Sequence, residues 1–230
     1  MKRQSFKISV IIPVYNEKNT ILEALKRVLD VNLDKEIIII DDGSIDGTRQ
    51  ILKKLKHSGV RIIYQEKNQG KGAALKRGIA EANGDYVVFQ DADLEYDPGD
   101  FFNLLGPVKK SGALAVYGSR FRGNYKNMIF FNMLGNRLIT FMANLLFRSN
   151  ISDEATCYKL LETKLAKSIE VNGNGFEFEP ELTAKILKKG IKIYEVPISY
   201  IGRGHREGKK INWRDGLRAL WTLVKYRFVD

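Results

Sequence analysis

The 230-residue sequence predicts an α/β fold in which a mostly parallel sheet is flanked by helices. Short apolar segments alternate with amphipathic helical segments through the first half of the chain. One of these segments contains four consecutive isoleucines, 37–40, which is typical of a strand covered by helices on both faces. Ligands of such sheets bind at the carboxyl ends of the strands, so we expect the functional site there.

Five strands and three helices account for this first half. Apolar runs predict strands at 9–14, 36–40, 60–65, 86–89 and 113–117. Helical periodicity predicts helices at 21–29, 48–56 and 71–82. Thr20 and Glu23 form a capping-box pattern, which predicts that Thr20 caps the first helix.

Composition indicates a globular protein, with 44% hydrophobic and 28% charged residues. We expect a single catalytic domain over 1–230. The only cysteine, Cys157, excludes an intramolecular disulfide, and we expect it to be buried in a strand at 155–159. No apolar run approaches the roughly 20 residues of a membrane span.

The net charge of +11 is concentrated near the end of the chain. Residues 185–230 hold 12 basic and 4 acidic side chains. Such an excess favours an anionic partner, which can be nucleic acid, a phosphorylated substrate or an anionic membrane surface.

Polar or glycine-containing segments follow each of the first four strands. They are PVYNE at 13–17, DDGSIDGT at 41–48, NQGKG at 68–72 and DAD at 91–93. Each alone can be explained as a turn or a helix cap. Four of them at one edge of a sheet favour a binding site.

The carboxylates of Asp91 and Asp93 alternate along the chain and can converge, as Mg²⁺ or Mn²⁺ ligands do beside a substrate diphosphate. A solvated turn is the alternative. Asp42 is a candidate acceptor of hydrogen bonds from a nucleobase or ribose. Lys71 begins a helix after Gly70, where it can meet an anion or lie in solvent.

These four segments, in this order and spacing over residues 8–122, resemble the nucleotide-sugar domain of glycosyltransferase family 2, which has the GT-A, Rossmann-like fold. Gly118-Ser119-Arg120, 151–153 and 195–198 resemble the polyprenyl-phosphate glycosyltransferases, a group similar to dolichyl-phosphate mannose synthase. The resemblance implies inverting transfer of one sugar from GDP-mannose or a UDP-sugar to a polyprenyl or dolichyl phosphate at the cytoplasmic membrane face.

The resemblance also implies roles for individual residues. The nucleotide-sugar would be bound by Pro13, Tyr15, Glu17, Asp42, Lys71, Asp91, Ala92 and Asp93. Asp91 and Asp93 would hold the Mg²⁺ or Mn²⁺ cofactor. The group has a metal-binding glutamine two residues after the second Asp, whereas this chain has Glu95.

Three arginines would complete the reaction site beside Asp93. By the resemblance, Arg120 and Arg137 would grip the acceptor phosphate, and Arg203 would lie in a loop near the donor phosphates. Residues 203–210 follow the group's pattern only in part. A lipid phosphate is already anionic, so we expect no indispensable general base. The alternative for Arg120 or Arg137 is a surface residue or a structural ion pair.

Two amphipathic segments predict contact with a membrane surface. Residues 128–147 contain 14 apolar residues of 20, interrupted by Arg137 and several asparagines. Residues 212–229 carry two tryptophans and four basic side chains at helical spacing, with Asn212 as a cap. We divide the chain into a nucleotide-sugar part (8–122), an acceptor part with its loop (123–211) and this basic helix (212–230). The alternatives are a core helix for the first segment and docking on the protein's own body for the second.

We therefore expect a cytoplasmic, peripheral location at the inner face of the cell membrane, with attachment to lipid or to a membrane protein. Two other functions stay open. A related enzyme would transfer sugar to a saccharide or protein hydroxyl and would need a carboxylate base from the second half. A non-catalytic anion-binding or nucleic-acid-binding module would use the basic end, but no nucleic-acid motif is present and we expect no such partner. The acidic residues of 176–181 are explained by the start of a helix.

Overall fold

The computed structural model describes residues 6–203 and 213–229, which contain seven strands and eight α-helices. The strands are β1 Ile8–Val14, β2 Lys35–Asp41, β3 Val60–Tyr64, β4 Tyr86–Phe89, β5 Ala115–Lys126, β6 Lys159–Glu162 and β7 Ile193–Ile201. The helices are α1 Ile21–Asp30, α2 Thr48–Lys54, α3 Lys71–Glu81, α4 Phe101–Ser111, α5 Phe130–Phe147, α6 Thr163–Ser168, α7 Phe178–Lys188 and α8 Trp213–Phe228.

All seven strands form one sheet in the order β3-β2-β1-β4-β6-β5-β7. β6 is antiparallel to β4 and β5, and the remaining neighbours are parallel. The predicted mostly parallel α/β sheet is therefore confirmed. Its first four strands run in the same direction, so the segments that follow them lie at one edge.

Two hydrophobic cores hold the helices in place. The larger surrounds the sheet, and residues 37–40 of β2 are fully buried in it, as the isoleucine run predicts. The second core lies between α5, α7 and α8, and its buried members are Ile139, Ala143, Ile151, Ala184, Ala219, Leu223 and Tyr226. This second core fixes α8 against both α5 and α7.

Two local predictions are wrong. Thr20 has helical backbone dihedrals, so its hydroxyl donates to the Glu17 carboxylate at 2.8 Å instead of capping the helix. The predicted strand at 155–159 begins only at Lys159, because the Cys157 amide donates to the Tyr96 hydroxyl at 3.1 Å and not to a neighbouring strand. Cys157 is nevertheless buried, as expected.

Helix α5 is continuous through Gly135, and only three of its residues are buried. Among the described residues, no helix combines the length and the apolar character that crossing a membrane requires.

Candidate active site

A cavity of about 840 Å³ lies at the carboxyl ends of the first strands and continues between α5 and α8. Its polar end contains every predicted nucleotide-sugar residue: Pro13, Tyr15, Glu17, Asp42, Lys71, Asp91, Ala92 and Asp93. Arg120 and Arg203 also line it. Its other end is apolar, and its lining there includes Met128, Phe131, Leu138, Trp213, Leu217 and Leu220.

Asp42 organises the loop that precedes α3. Its buried carboxylate accepts hydrogen bonds from the backbone amides of Gln69 and Gly70, both at 2.8 Å. Burial raises the pKa of Asp42, and the two amide donors oppose that rise. Gly70 has a φ of +102°, and a side chain there would meet the carbonyl of Asn174. Asp42 therefore shapes the loop that presents Lys71, and its contact with a nucleobase or ribose stays a prediction.

Lys71 meets two protein carboxylates in the cavity. Its ammonium lies 2.9 Å from Asp91 Oδ1 and 3.1 Å from Glu179 Oε1. Burial alone would lower the pKa of Lys71, but Asp91 and Glu179 raise it well above its usual range. Lys71 is therefore charged at neutral pH and faces the side chain predicted to hold a cation.

Asp93 is paired with the guanidinium of Arg203, 3.1 Å away. The same guanidinium lies 3.5 Å from Glu17. Burial, with the nearby charges of Asp91 and Glu95, raises the pKa of Asp93 to about 7, although Arg203 opposes the rise. Arg203 thus lies beside a carboxylate that is predicted to hold the metal and the diphosphate. Its predicted position near the donor phosphates stays a prediction, and residues 204–210 lie outside the described part of the chain.

The donor set of this end fits a divalent cation. Its carboxylates include those of Glu17, Asp91, Asp93 and Glu95, and its cations include Lys71 and Arg203. Burial is the main cause of the raised pKa of Asp93, and the nearby charges of Asp91 and Glu95 add to it. No group of three or more metal-ligating side chains is assembled within 6–203 and 213–229. Two carboxylates that leave the remaining positions to substrate oxygens and water suit Mg²⁺ or Mn²⁺.

Arg120 forms a buried bidentate ion pair with Asp153. Its Nε and Nη2 donate to the two carboxylate oxygens, each at 2.7 Å, and its backbone amide donates at 2.9 Å. The Tyr200 ring covers the guanidinium at 5.3 Å. Nη1 has no hydrogen-bond partner among the described residues. Arg120 is thus a structural ion pair that also borders the cavity.

Arg137 is not brought to the cavity. It is exposed on α5, and its guanidinium lies 5.2 Å from the centroid of the Phe121 ring. The lining residues of α5 come from other faces of the helix, such as Phe131 and Leu138. Its contact with the acceptor phosphate stays a prediction, and the observed position of the side chain does not support it.

Glu179 is a cavity residue that the sequence reasoning missed. It lies in the first turn of α7, where the helix N-terminus was a sufficient explanation for an acidic side chain. Its carboxylate also lies 3.6 Å from Nζ of Lys159, which is fully buried and donates to the carbonyls of Glu154 and Thr156. A buried ammonium needs such partners, but the burial of Lys159 is visible only in the structure, so no sequence signal pointed to Glu179.

Helices α5 and α8 expose large apolar side chains, of which Phe131 and Trp213 also line the apolar end of the cavity. They include Phe131 at 78%, Phe141 at 59%, Trp213 at 72%, Trp221 at 67% and Phe228 at 80% exposure. Their inner faces form the second core. The core-helix and docking alternatives are therefore correct for one face of each helix, and no residue of 6–203 or 213–229 covers the other face.

The arrangement can be compared with known proteins. The sequence model described as "Glycosyl transferase family 2" matches residues 9–169. The chain is 30% identical to the dolichol-phosphate mannosyltransferase of Pyrococcus furiosus over 96% of this chain, but it spans only 64% of that protein's length. It is also 30% identical to an uncharacterised protein of Methanocaldococcus jannaschii, over 97% of each chain.

Solved structures show the same fold. Glucosyl-3-phosphoglycerate synthase from Mycobacterium tuberculosis, in complex with Mn²⁺, UDP and glucosyl-3-phosphoglycerate, superposes with a TM-score of 0.74 at 22% identity. The match covers 98% of this chain and 81% of that one. The same enzyme has been crystallised with Mg²⁺ and UDP. These neighbours confirm the GT-A fold. Because the family's sequence model matches residues 9–169, which is more than half of the chain and includes all four strand-end segments, the chain belongs to glycosyltransferase family 2.

Proposed function

We propose that this glycosyltransferase transfers one sugar from a nucleotide diphosphate sugar to a polyprenyl phosphate at a membrane surface. The observation that carries the proposal is the continuity of the cavity, which joins a charged donor end to an apolar end between α5 and α8. A lipid phosphate needs both ends, since its phosphate must reach the charged end while its hydrocarbon chain lies against apolar side chains. The similarity to a dolichol-phosphate mannosyltransferase supports this acceptor class.

The donor is bound at the polar end. Tyr15, Glu17 and Asp42 border the nucleotide, and Asp91 and Asp93 hold Mg²⁺ or Mn²⁺ with the diphosphate. The metal, when bound, neutralises the charge that develops on the departing diphosphate. Lys71 and Arg203 add fixed positive charge near the same oxygens, which is worth most where water is excluded.

The acceptor phosphate approaches from the apolar end. Arg120 borders this route, and a guanidinium matches phosphate oxygens while staying charged. Because the phosphate is anionic, its attack on the anomeric carbon requires alignment and not proton removal. Arg120→Ala and Arg120→Lys should both reduce turnover at saturating lipid phosphate, and normal turnover of either variant would contradict this role.

The uncovered faces of α5 and α8 are proposed to rest on an anionic bilayer. Exposed Phe and Trp side chains suit the interface, and the basic residues of α8 are Arg214, Arg218, Lys225 and Arg227. Each basic residue near anionic lipid contributes about 1 kcal/mol. The cavity lies between the same two helices, so adsorption would present it to a lipid-embedded phosphate.

A hydroxyl acceptor is the second candidate, and Glu179 favours it. This carboxylate borders the cavity, and a hydroxyl nucleophile needs a general base. Glu179→Gln separates the two functions: it should abolish transfer to a hydroxyl but only reduce transfer to a phosphate, because there it removes the ion pairs with Lys71 and Lys159 and no base.

The decisive experiment is a radiolabelled transfer assay with GDP- and UDP-sugars. Polyprenyl phosphate, polyprenol, 3-phosphoglycerate and free sugars are offered as acceptors. Label that enters lipid only with polyprenyl phosphate supports the proposal. Label in phosphoglycerate or free saccharide contradicts it and supports the second candidate.

A further inference from the structure

Glu95 joins the metal-binding segment to the end of β7. Its Oε2 accepts a hydrogen bond from the Tyr200 hydroxyl at 2.7 Å, and its Oε1 accepts one from the Arg203 backbone amide at 2.8 Å. The polyprenyl-phosphate glycosyltransferases that this chain resembles have a metal-binding glutamine at this position. We propose that Glu95 is instead a latch, which holds the end of β7 at the donor site and thereby positions Arg203 on Asp93.

Backbone contacts reinforce these two side-chain bonds. The amide of Ile201 donates to the carbonyl of Glu95 at 2.9 Å, and Tyr96 and Tyr200 form an antiparallel bridge. Tyr200 is buried, with its ring 5.2 Å from that of Tyr96. Hydrogen bonds to a charged carboxylate in such surroundings are strong, so the carboxylate is a firm anchor for the segment that ends at Arg203.

The latch reaches Asp93 from two directions. The amide of Glu95 donates to Asp93 Oδ1 at 3.1 Å, while its carboxylate holds the residue whose guanidinium lies 3.1 Å from Asp93 Oδ2. Glu95 is thus a positioning residue for both partners of this ion pair. A guanidinium on Asp93 competes with a divalent cation for the same carboxylate.

The two roles of Glu95 therefore predict opposite changes in cation affinity. If Glu95 is a metal ligand, its removal should weaken cation binding at least ten- to hundredfold, because even the loss of a residue that only hydrogen-bonds to a metal ligand has an effect of that size. If Glu95 is a latch, its removal frees Arg203 from Asp93, and cation binding should stay within about threefold or become tighter.

Mn²⁺ binding to the full chain can be followed by electron paramagnetic resonance, with Mn²⁺ alone and with UDP or GDP added. The variants are Glu95→Ala and a matched control, Asp97→Asn. Asp97 is exposed in the same segment and caps Gly99, so its substitution removes one negative charge without touching Tyr200 or Arg203. Mn²⁺ affinity that falls tenfold or more in Glu95→Ala relative to Asp97→Asn would overturn the proposal.

Hydrogen exchange gives a second readout that needs no metal. The Arg203 amide should exchange about tenfold faster or more in Glu95→Ala, the change expected on losing a hydrogen bond to a charged group. It should be unchanged in Asp97→Asn. Unaltered exchange in Glu95→Ala would also overturn the latch.

Tyr200→Phe covers the case in which Glu95→Ala does not fold. It removes one bond to Glu95 but keeps the ring that packs on Tyr96. A latch predicts faster exchange at Ile201 and Arg203 and undiminished Mn²⁺ affinity, and no change in exchange would count against it. The inference rests on the proposed donor site, but neither measurement uses a lipid or turnover, so its failure is distinguishable from failure of the proposed acceptor.

Discussion

Replacing Asp153 by Asn tests whether the buried Arg120–Asp153 ion pair is needed for the stability of the fold. Both side chains are buried, and Asp153 accepts three hydrogen bonds from Arg120 at 2.7–2.9 Å. Burial lowers the pKa of Arg120, but the charge of Asp153 and the other neighbours raises it well above its usual range. An arginine guanidinium stays charged in proteins even without a partner, so removing the carboxylate of Asp153 does not neutralise it. Asn keeps the shape of the side chain but leaves a buried cation uncompensated.

Breaking a buried pair in this way costs about 3–5 kcal/mol in the free energy of unfolding. For a chain of this size each kcal/mol lowers the melting temperature by roughly 2–4 °C, so we expect a fall of about 6–20 °C. Urea unfolding followed by circular dichroism measures the free energy, and calorimetry measures the temperature.

Glu81→Gln is the matched control, because Glu81 forms ion pairs with the more exposed Arg61 and Arg77. Such surface pairs contribute at most about 1 kcal/mol. Adding Arg120→Met to Asp153→Asn should recover stability, since no charge is then left buried. If Asp153→Asn costs no more than Glu81→Gln, the reasoning about this pair is refuted.

Three further predictions concern the donor end and the uncovered helices. Because the pKa of Asp93 is raised to about 7, its protonation stabilises the metal-free fold below the ordinary carboxyl pKa, and this contribution is lost as pH rises through 7. Mn²⁺ must displace the same proton, so its affinity in calorimetric titrations should rise up to about pH 7 and then level off. A Mn²⁺ affinity that is the same from pH 5 to 8 would contradict the assignment. Lys71→Met should lower turnover about 10²-fold by removing the cation between Asp91 and Glu179, whereas Arg77→Met, on an exposed position of the same helix, should turn over normally. The double variant Trp221→Ser, Phe228→Ser should weaken sedimentation with anionic liposomes about tenfold or more. The control is Ile45→Ser, which replaces an 83% exposed apolar residue far from α8 in the sequence. An equal loss of sedimentation in the control would show that the effect is not specific to α8.

The sequence predicts the parts of this molecule that depend on local pattern. The isoleucine run marks β2, the helical spacing marks α3 and α8, and the strand-end segments locate the donor end. Helix α4 was not predicted, because Gly106 and Pro107 interrupt its pattern and its stability comes from packing on β5 and β7. The antiparallel insertion of β6 between β4 and β5 is a long-range pairing that no local pattern records.

The site shows the same division. The strand-end position of Asp91 and Asp93 predicted that both would lie at the site, and both line the cavity, while their role as metal ligands stays a prediction. The side chains that contact them could not be predicted. Lys71 and Glu179 are over one hundred residues apart in the chain, and their contact depends on how α7 packs beside α3. For Arg120 the structure shows the ion pair that the sequence left open as an alternative, and its contact with the acceptor phosphate stays a prediction.

The second core has a consequence for how the enzyme would meet its substrate. The same helix α8 that offers Trp221 to the outside packs through Leu223 and Tyr226 on α7, whose first turn carries Glu179 to Lys71. Under the proposed function, the helix that rests on the bilayer would therefore be separated from the donor pocket by α7 alone. The turnover rate of the bound enzyme would follow the mole fraction of acceptor within the lipid surface. Diluting the vesicles at constant composition would lower the number of bound enzyme molecules without changing the turnover rate of each.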